Sequence, residues 1–376
     1  MRWIEGNRSS PHGTVEAVRI GVDGGRIAQV VPYGTADGDL PVLSPGFVDI
    51  HVHGGGGADA MDASEGAFAR ICETHARFGT TSLLLTTVTD TPEQVDAVLR
   101  TAGDFIAHEP TGARAVGVHL EGPFLNPAKA GAQRGDRMMD ADPALAARWF
   151  ATGVVRMITM APERSGAHEV ARLAQARGVL VSAGHTEATV ADMQSAARAG
   201  FSHVTHLCNA MRPLLHRDVG PIGHVVADGA FTGDLICDGI HLDRTMVKTL
   251  VRAIGHERLM LITDAIRAAA VGAGEYDLGG LRVTVQDGAC RLANGTLAGS
   301  VLTMNRAWRM LQEFADVPQF AADAMAAANP AKRIGLARKG RIEVGYDADI
   351  VALDTEADVL WTMVGGHVVY ERGGVS

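Results

Sequence analysis

Apolar and polar positions alternate along this chain between two periods. Short runs rich in aliphatic and β-branched residues recur at 46–52, 81–88, 114–122, 154–161, 178–184, 201–206, 233–239 and 258–265, and each predicts a buried strand. Most are separated by stretches whose apolar residues fall three and four apart, the spacing of a helix with one buried face. The stretch 90–107, DTPEQVDAVLRTAGDFIA, opens with a capping Asp or Thr and an early Pro; 187–200 and 243–255 end on glycine. Eight strand units in succession predict an α/β fold, a (β/α)8 TIM-type barrel.

The chain ends break this rhythm. Residues 16–32 read as two strands around an Asp-Gly-Gly turn, and 340–354 and 359–373 also read as strands with turns. Both ends are expected to pair into one small β-sandwich domain, 1–45 plus 337–376, beside a barrel spanning 46–336. A further hairpin is expected at 281–292, after the eighth strand.

Composition narrows the class. The 376 residues are 47% hydrophobic and 20% charged, enough apolar surface for a large core. The net charge of −9, without a basic run, argues against nucleic acid as a partner. Four scattered cysteines with no C-x-x-C pair argue against a zinc ribbon and fit a reducing, cytoplasmic location. The first residues carry no apolar signal segment, and no run is long enough to span a membrane.

The chemistry gathers where these strands end. In "PGFVDIHVHGGGG" (45–57), His51 and His53 lie two apart on a strand and so face the same way. Alone, such a pair is as readily packed or solvated as metal-bound. The third strand, however, ends on Glu121, the fifth on His185, the sixth on His206 and the eighth on Asp264. In a barrel of this kind the C-terminal strand ends form one rim. Four imidazoles and two carboxylates there suit zinc or another divalent transition metal. His119 and His203 are candidates for the core or for support behind the ligands.

The motifs PGFVDIHVHG, HLEGPF, GHT, THLCNAM, TDA, AGS and GRIEVGYDADIV resemble the amidohydrolase superfamily, and within it the family of N-acetylglucosamine-6-phosphate deacetylases, over nearly the whole chain. The resemblance implies Glu121, His185 and His206 as principal metal ligands. It implies His51 and His53 as ligands of a second metal held by some members, with Glu121 bridging. One or two divalent ions per subunit are implied, zinc foremost, with iron, manganese or cobalt as alternatives. Asp264 matches the catalytic carboxylate, and Ala132, Asn209, Ala210 and the backbone of Leu297, Ala298 and Gly299 match sugar contacts. Arg217 and His241 match ligands of a 6-phosphate, one reaching in from the partner in a homodimer. Gln133 stands where some members have a histidine that polarises the acetyl carbonyl; a glutamine NH2 still donates, and a second metal can supply the polarisation.

The implied reaction is metal-dependent hydrolysis of the acetamide of N-acetylglucosamine 6-phosphate to glucosamine 6-phosphate and acetate, with Asp264 as general base and acid. Alternatives are a galactosamine-type epimer, an acyl-amino-acid hydrolase, or a silent sugar-phosphate sensor. The intact Asp264 speaks against the sensor, and the lack of a lysine in the fourth strand speaks against a carboxylated-lysine centre. The glycines after His53 are expected to leave room for the sugar.

Overall fold

The structure, a computed structural model, describes residues 1–10, 13–108 and 110–373. The chain opens with strands β1 (Arg2–Ser9), β2 (Val15–Asp23), β3 (Arg26–Thr35) and β4 (Val42–Pro45), then enters β5 (Phe47–Val52). A two-residue hairpin, β6 (Gly54–Gly55) and β7 (Ala58–Asp59), leads to α1 (Glu65–Ala76). Strands and helices then alternate: β8 (Thr80–Thr86), α2 (Pro92–Ile106), β9 (Arg114–Glu121), α3 (Pro143–Ala151), β10 (Val155–Met160), α4 (Ala167–Gln175), β11 (Leu180–Ala183) and α5 (Val190–Ala199). The series continues through β12 (His203–Val204), α6 (Gly220–Ala227), β13 (Thr232–Ile236), α7 (Arg244–Ile254) and β14 (Leu259–Ile262).

The insertion after β14 is larger than the hairpin expected. It is a four-stranded antiparallel sheet of β15 (Gly274–Leu278), β16 (Leu281–Gln286), β17 (Ala289–Arg291) and β18 (Leu297–Ser300). Then come α8 (Met304–Ala315), α9 (Gln319–Asp323), α10 (Asn329–Arg333) and the closing strands β19 (Ile350–Leu353), β20 (Val359–Val364) and β21 (His367–Glu371).

Eight parallel strands, β5 and β8 to β14, form the barrel in chain order. Its seam lies between β5 and β14, where single contacts replace a regular ladder: Asp264 N donates to His51 O at 2.9 Å and His53 N to Ala265 O at 2.9 Å. Asp49 works as a staple across that seam. Its carboxylate accepts from Thr263 Oγ1 at 2.6 Å and from the backbone N–H of Thr263 and His51, each at 3.3 Å. The seam thus holds the first and last strands, and the histidines and aspartate at their ends, in one register.

The two chain ends build a seven-stranded sheet in the order β21-β20-β19-β4-β1-β2-β3. Ile4, Ile20, Leu43, Ile350 and Met363 pack its own buried cluster. Most of 340–354 is irregular, and only Ile350–Leu353 is a strand. The positive φ of Gly340 and Gly345 breaks the extended path. Lys339 binds Asp349 at 2.5 Å, and Asp349 accepts the Gly365 N–H at 2.7 Å, so the Asp-Ala-Asp motif ties a turn. Among the described residues, no helix is long and apolar enough to cross a membrane.

Candidate metal centre

Residue alternation on β5 turns His51 and His53 the same way, and their Nε2 atoms lie 3.2 Å apart. Glu121 ends β9, and His185, His206 and Asp264 each lie two residues past the end of β11, β12 and β14. The last three adopt left-handed backbone conformations, with φ of 46°, 36° and 51°. Such a conformation costs a non-glycine residue about 1–3 kcal/mol and persists only where surroundings enforce it. At His206 the Asp234 carboxylate accepts the backbone N–H; at Asp264 the bond to His51 O does the same. The strand predicted over 201–206 stops at Val204 for this reason, since the chain must turn to present His206.

Glu121 is the hub. Its Oε1 lies 3.5 Å from His51 Nε2, 3.3 Å from His185 Nε2 and 3.1 Å from His206 Nε2. Its Oε2 lies 3.4 Å from His53 Nε2. Asp264 Oδ1 closes the other side, 3.1 Å from His53 and 3.4 Å from His51. The residues form two triads sharing Glu121, one with His51 and His53 and one with His185 and His206, each with its ligand atoms within 4.8 Å of one another.

These groups fit divalent metal by their own chemistry. His185 Nδ1 faces Lys129 O at 2.8 Å and His53 Nδ1 faces Thr86 O at 3.2 Å. Each Nδ1–H can donate to its carbonyl, which leaves the Nε2 lone pair aimed at Glu121. Two Nε2 pairs, His51–His53 and His185–His206, converge to 3.2 Å, close enough for each pair to share one ion. Burial alone would raise the Glu121 carboxyl and lower His53. The histidines around Glu121 instead hold its pKa well below the usual range, and Asp264 and Glu121 hold His53 well above its own. Asp264 is likewise depressed, its burial outweighed by His51 and His53. The centre favours positive charge among fixed carboxylates.

His119 and His203 are support rather than ligands. Both are fully buried within the barrel. His119 Nε2 meets Thr159 Oγ1 at 2.7 Å, while His203 bridges Thr232 Oγ1 and Asp234 Oδ2 at 2.8 and 3.0 Å. Burial pushes both imidazoles down, so they stay neutral. Gln133 has its carboxamide orientation fixed: Oε1 accepts Thr89 N–H at 2.6 Å, and Nε2 donates to Glu121 Oε2 at 2.5 Å.

A cavity of about 300 Å3 opens over the centre. Ala132, Gln133, Asn209 and Ala210 line it, as do His241, Leu297 and Gly299. Gly299 is required by close approach. Its φ is +57°, and a Cβ there would lie 2.5 Å from Ile266 Cγ2 and 2.9 Å from Asp264 O. Ala298 points instead into the apolar cluster beneath the inserted sheet, leaving its backbone as the reachable part. Arg217 is exposed on the loop before α6 and is absent from the cavity wall of the single chain.

The glycines after His53 do not make room for substrate. None lines the cavity. They pack a tight hairpin: a Cβ on Gly54 would meet Ala58 O at 2.4 Å and Arg267 N at 2.7 Å.

Three features escaped the sequence reading. Asp238 holds His241, accepting from Nδ1 at 2.7 Å and from the His241 N–H at 2.7 Å. Burial would raise Asp238, but these bonds and the charge of His241 bring its pKa below the usual range. The i, i+3 spacing of the two residues was the available signal. Arg291 and Thr296, from the inserted sheet, also line the cavity, and no local pattern pointed there.

A barrel with a mixed histidine–carboxylate centre at the C-terminal rim defines a metal-dependent hydrolase of the amidohydrolase kind. The chain belongs to the amidohydrolase family, whose model matches residues 42–369. More narrowly, it is 39% identical to the N-acetylglucosamine-6-phosphate deacetylase of Bacillus subtilis, over 88% of this chain and 85% of that protein. It is 32% identical to the N-acetylgalactosamine-6-phosphate deacetylase of Escherichia coli O157:H7, over 90% of each chain. Among solved structures, an aspartate-to-alanine mutant of N-acetyl-D-glucosamine-6-phosphate deacetylase from Mycobacterium smegmatis, in complex with N-acetyl-D-glucosamine-6-phosphate, superposes with a TM-score of 0.91. That pair is 32% identical and covers 98% of this chain and 100% of the other.

Proposed function

We propose that this chain is a metal-dependent N-acetylglucosamine-6-phosphate deacetylase, cleaving the acetamide to give acetate and glucosamine 6-phosphate. The observation that carries the reading is the pair of triads sharing Glu121, with Asp264 against both histidines of one of them. The Bacillus subtilis and Mycobacterium smegmatis relatives support the same substrate.

Glu121, His185 and His206 would hold one divalent ion, and His51, His53 and Glu121 a second. Zinc is our first assignment, with iron, manganese and cobalt next. When bound, such an ion acidifies water and polarises a carbonyl as a Lewis acid. Asp264 accepts the proton of the attacking water and returns it to the sugar nitrogen as the C–N bond breaks. Gln133, locked by Thr89 and with one N–H on Glu121, has its second N–H to offer the oxygen that gains charge. Asn209, Ala210 and the backbone of 297–299 hold the sugar. His241, steadied by Asp238, takes the phosphate, and Arg217 reaches the partner's phosphate across a homodimer interface. With its reduced, scattered cysteines, the enzyme is assigned to the cytoplasm.

The test is acetate release from N-acetylglucosamine 6-phosphate by metal-reconstituted protein, beside the unphosphorylated sugar and the galactosamine epimer. Fast release from the phosphorylated glucosamine substrate is expected. Release from the galactosamine epimer alone would transfer the assignment to that epimer, which the Escherichia coli relative makes the second reading. A H51Q/H53N double variant is expected to lose one bound metal by elemental analysis and nearly all turnover. Full activity in that variant would reject the second ion.

A further inference from the structure

We infer that Arg291 binds the substrate's phosphate from within the same subunit and sets the preference for phosphorylated over free sugar. The inference rests on the deacetylase reading above. A phosphate dianion in a cavity needs fixed positive charge, and guanidinium is the side chain best matched to it in geometry. Among the residues lining the cavity, Arg291 is the one side chain that is always cationic. The other cationic candidate, Arg217, does not reach the wall of its own subunit.

Arg291 is also placed and free for this role. It ends β17, where the preceding Cys290 is buried in the cluster under the inserted sheet and Arg291 turns to the opposite, exposed face. One nitrogen is used locally, Nη1 donating to Gly295 O at 2.9 Å. That bond ties the side chain to the turn carrying Gly295, Thr296 and Leu297, all on the cavity wall. No carboxylate pairs with Arg291 among the described residues, so its remaining donors are uncommitted. Arg282 on the neighbouring β16 is the contrast: Glu275 binds it at 2.6 Å, and it faces solvent away from the cavity. A single cavity shared by His241 and Arg291 gives the phosphate a nitrogen donor on each of two elements, the loop after β13 and the inserted sheet.

The experiment compares kcat and KM for wild type, R291Q, R291K and R282Q on N-acetylglucosamine 6-phosphate and on N-acetylglucosamine. Expected for R291Q is a rise in KM of about tenfold or more on the phosphorylated sugar, the scale of one lost charge-assisted contact. Its preference for the phosphorylated sugar should shrink by the same factor. R291K should recover part of both, and R282Q should behave as wild type. An unchanged preference in R291Q overturns the inference, as does an equal loss on both sugars, which would mark a contact to the sugar or a folding defect. Wild-type enzyme that releases no acetate from either sugar, with metal bound, instead overturns the deacetylase reading itself.

Discussion

At the residue scale, the site depends on where each polar atom is forced to point. Asp264 sits in a left-handed turn with Oδ1 3.4 Å from His51 Nε2 and 3.1 Å from His53 Nε2. Its neutral isostere should keep the substrate pocket and lose the proton transfer. We expect D264N to lower kcat by about 100- to 10,000-fold, the span of general acid–base catalysis, with KM little changed. Steady-state kinetics on metal-loaded protein decide this, and a D264N enzyme with near-normal kcat would remove Asp264 from the reaction. The ligand types and their strand-end positions were legible in the sequence, because a parallel barrel puts such positions on one rim. Asp238 and Arg291 were not, since each matters through what it faces in three dimensions.

At the scale of elements, the β6–β7 hairpin shows how a motif can be read correctly as special and wrongly as to cause. Gly54 is needed because backbone passes against backbone, and Gly56 and Gly57 because the turn takes positive φ, +60° and +91°. A methyl on Gly54 would strike Ala58 O and Arg267 N, neither of which can rotate away. G54A is expected to destabilise the protein by about 1–3 kcal/mol, as overpacking usually does. Because Gly54 follows His53 directly, metal content should fall with it. Denaturant unfolding and metal analysis check both, and a stable, fully metallated G54A would refute the packing account. Sequence periodicity located β5, β8 to β11, β13 and β14 within a few residues. It overran at β12, where the local pattern continues but the demand on His206 ends the strand.

At the scale of the whole molecule, Asp323 ties the barrel helices to the end-built sheet. It accepts from Ser44 Oγ of β4 at 2.6 Å, from Trp308 Nε1 of α8 at 2.8 Å and from Gln319 Nε2 at 3.4 Å. Burial raises its pKa from 3.8 to about 7, against the opposing pull of those hydrogen bonds. The folded protein therefore keeps a proton that the unfolded chain releases between about pH 4 and about pH 7. Stability from this group is greatest below the unfolded value and falls as pH rises through the folded one. D323N removes that slope, so the variant should gain on wild type from pH 5 to pH 8, by an amount on the order of a few kcal/mol. Unfolding midpoints measured across that range test it; parallel pH profiles for the two proteins would show that Asp323 does not titrate as described.

The sequence by itself determined the alternation of strands and helices, the barrel, the pairing of the chain ends and the six metal-centre candidates. Those follow from local periodicity and from a topology that places every strand end on one side. The tertiary structure alone decided the rest: the staple at Asp49, the fixed carboxamide of Gln133, and the cavity wall that admits Arg291 while leaving Arg217 outside. Each of those depends on distances between segments far apart in the chain, and spacing along a sequence carries no record of them.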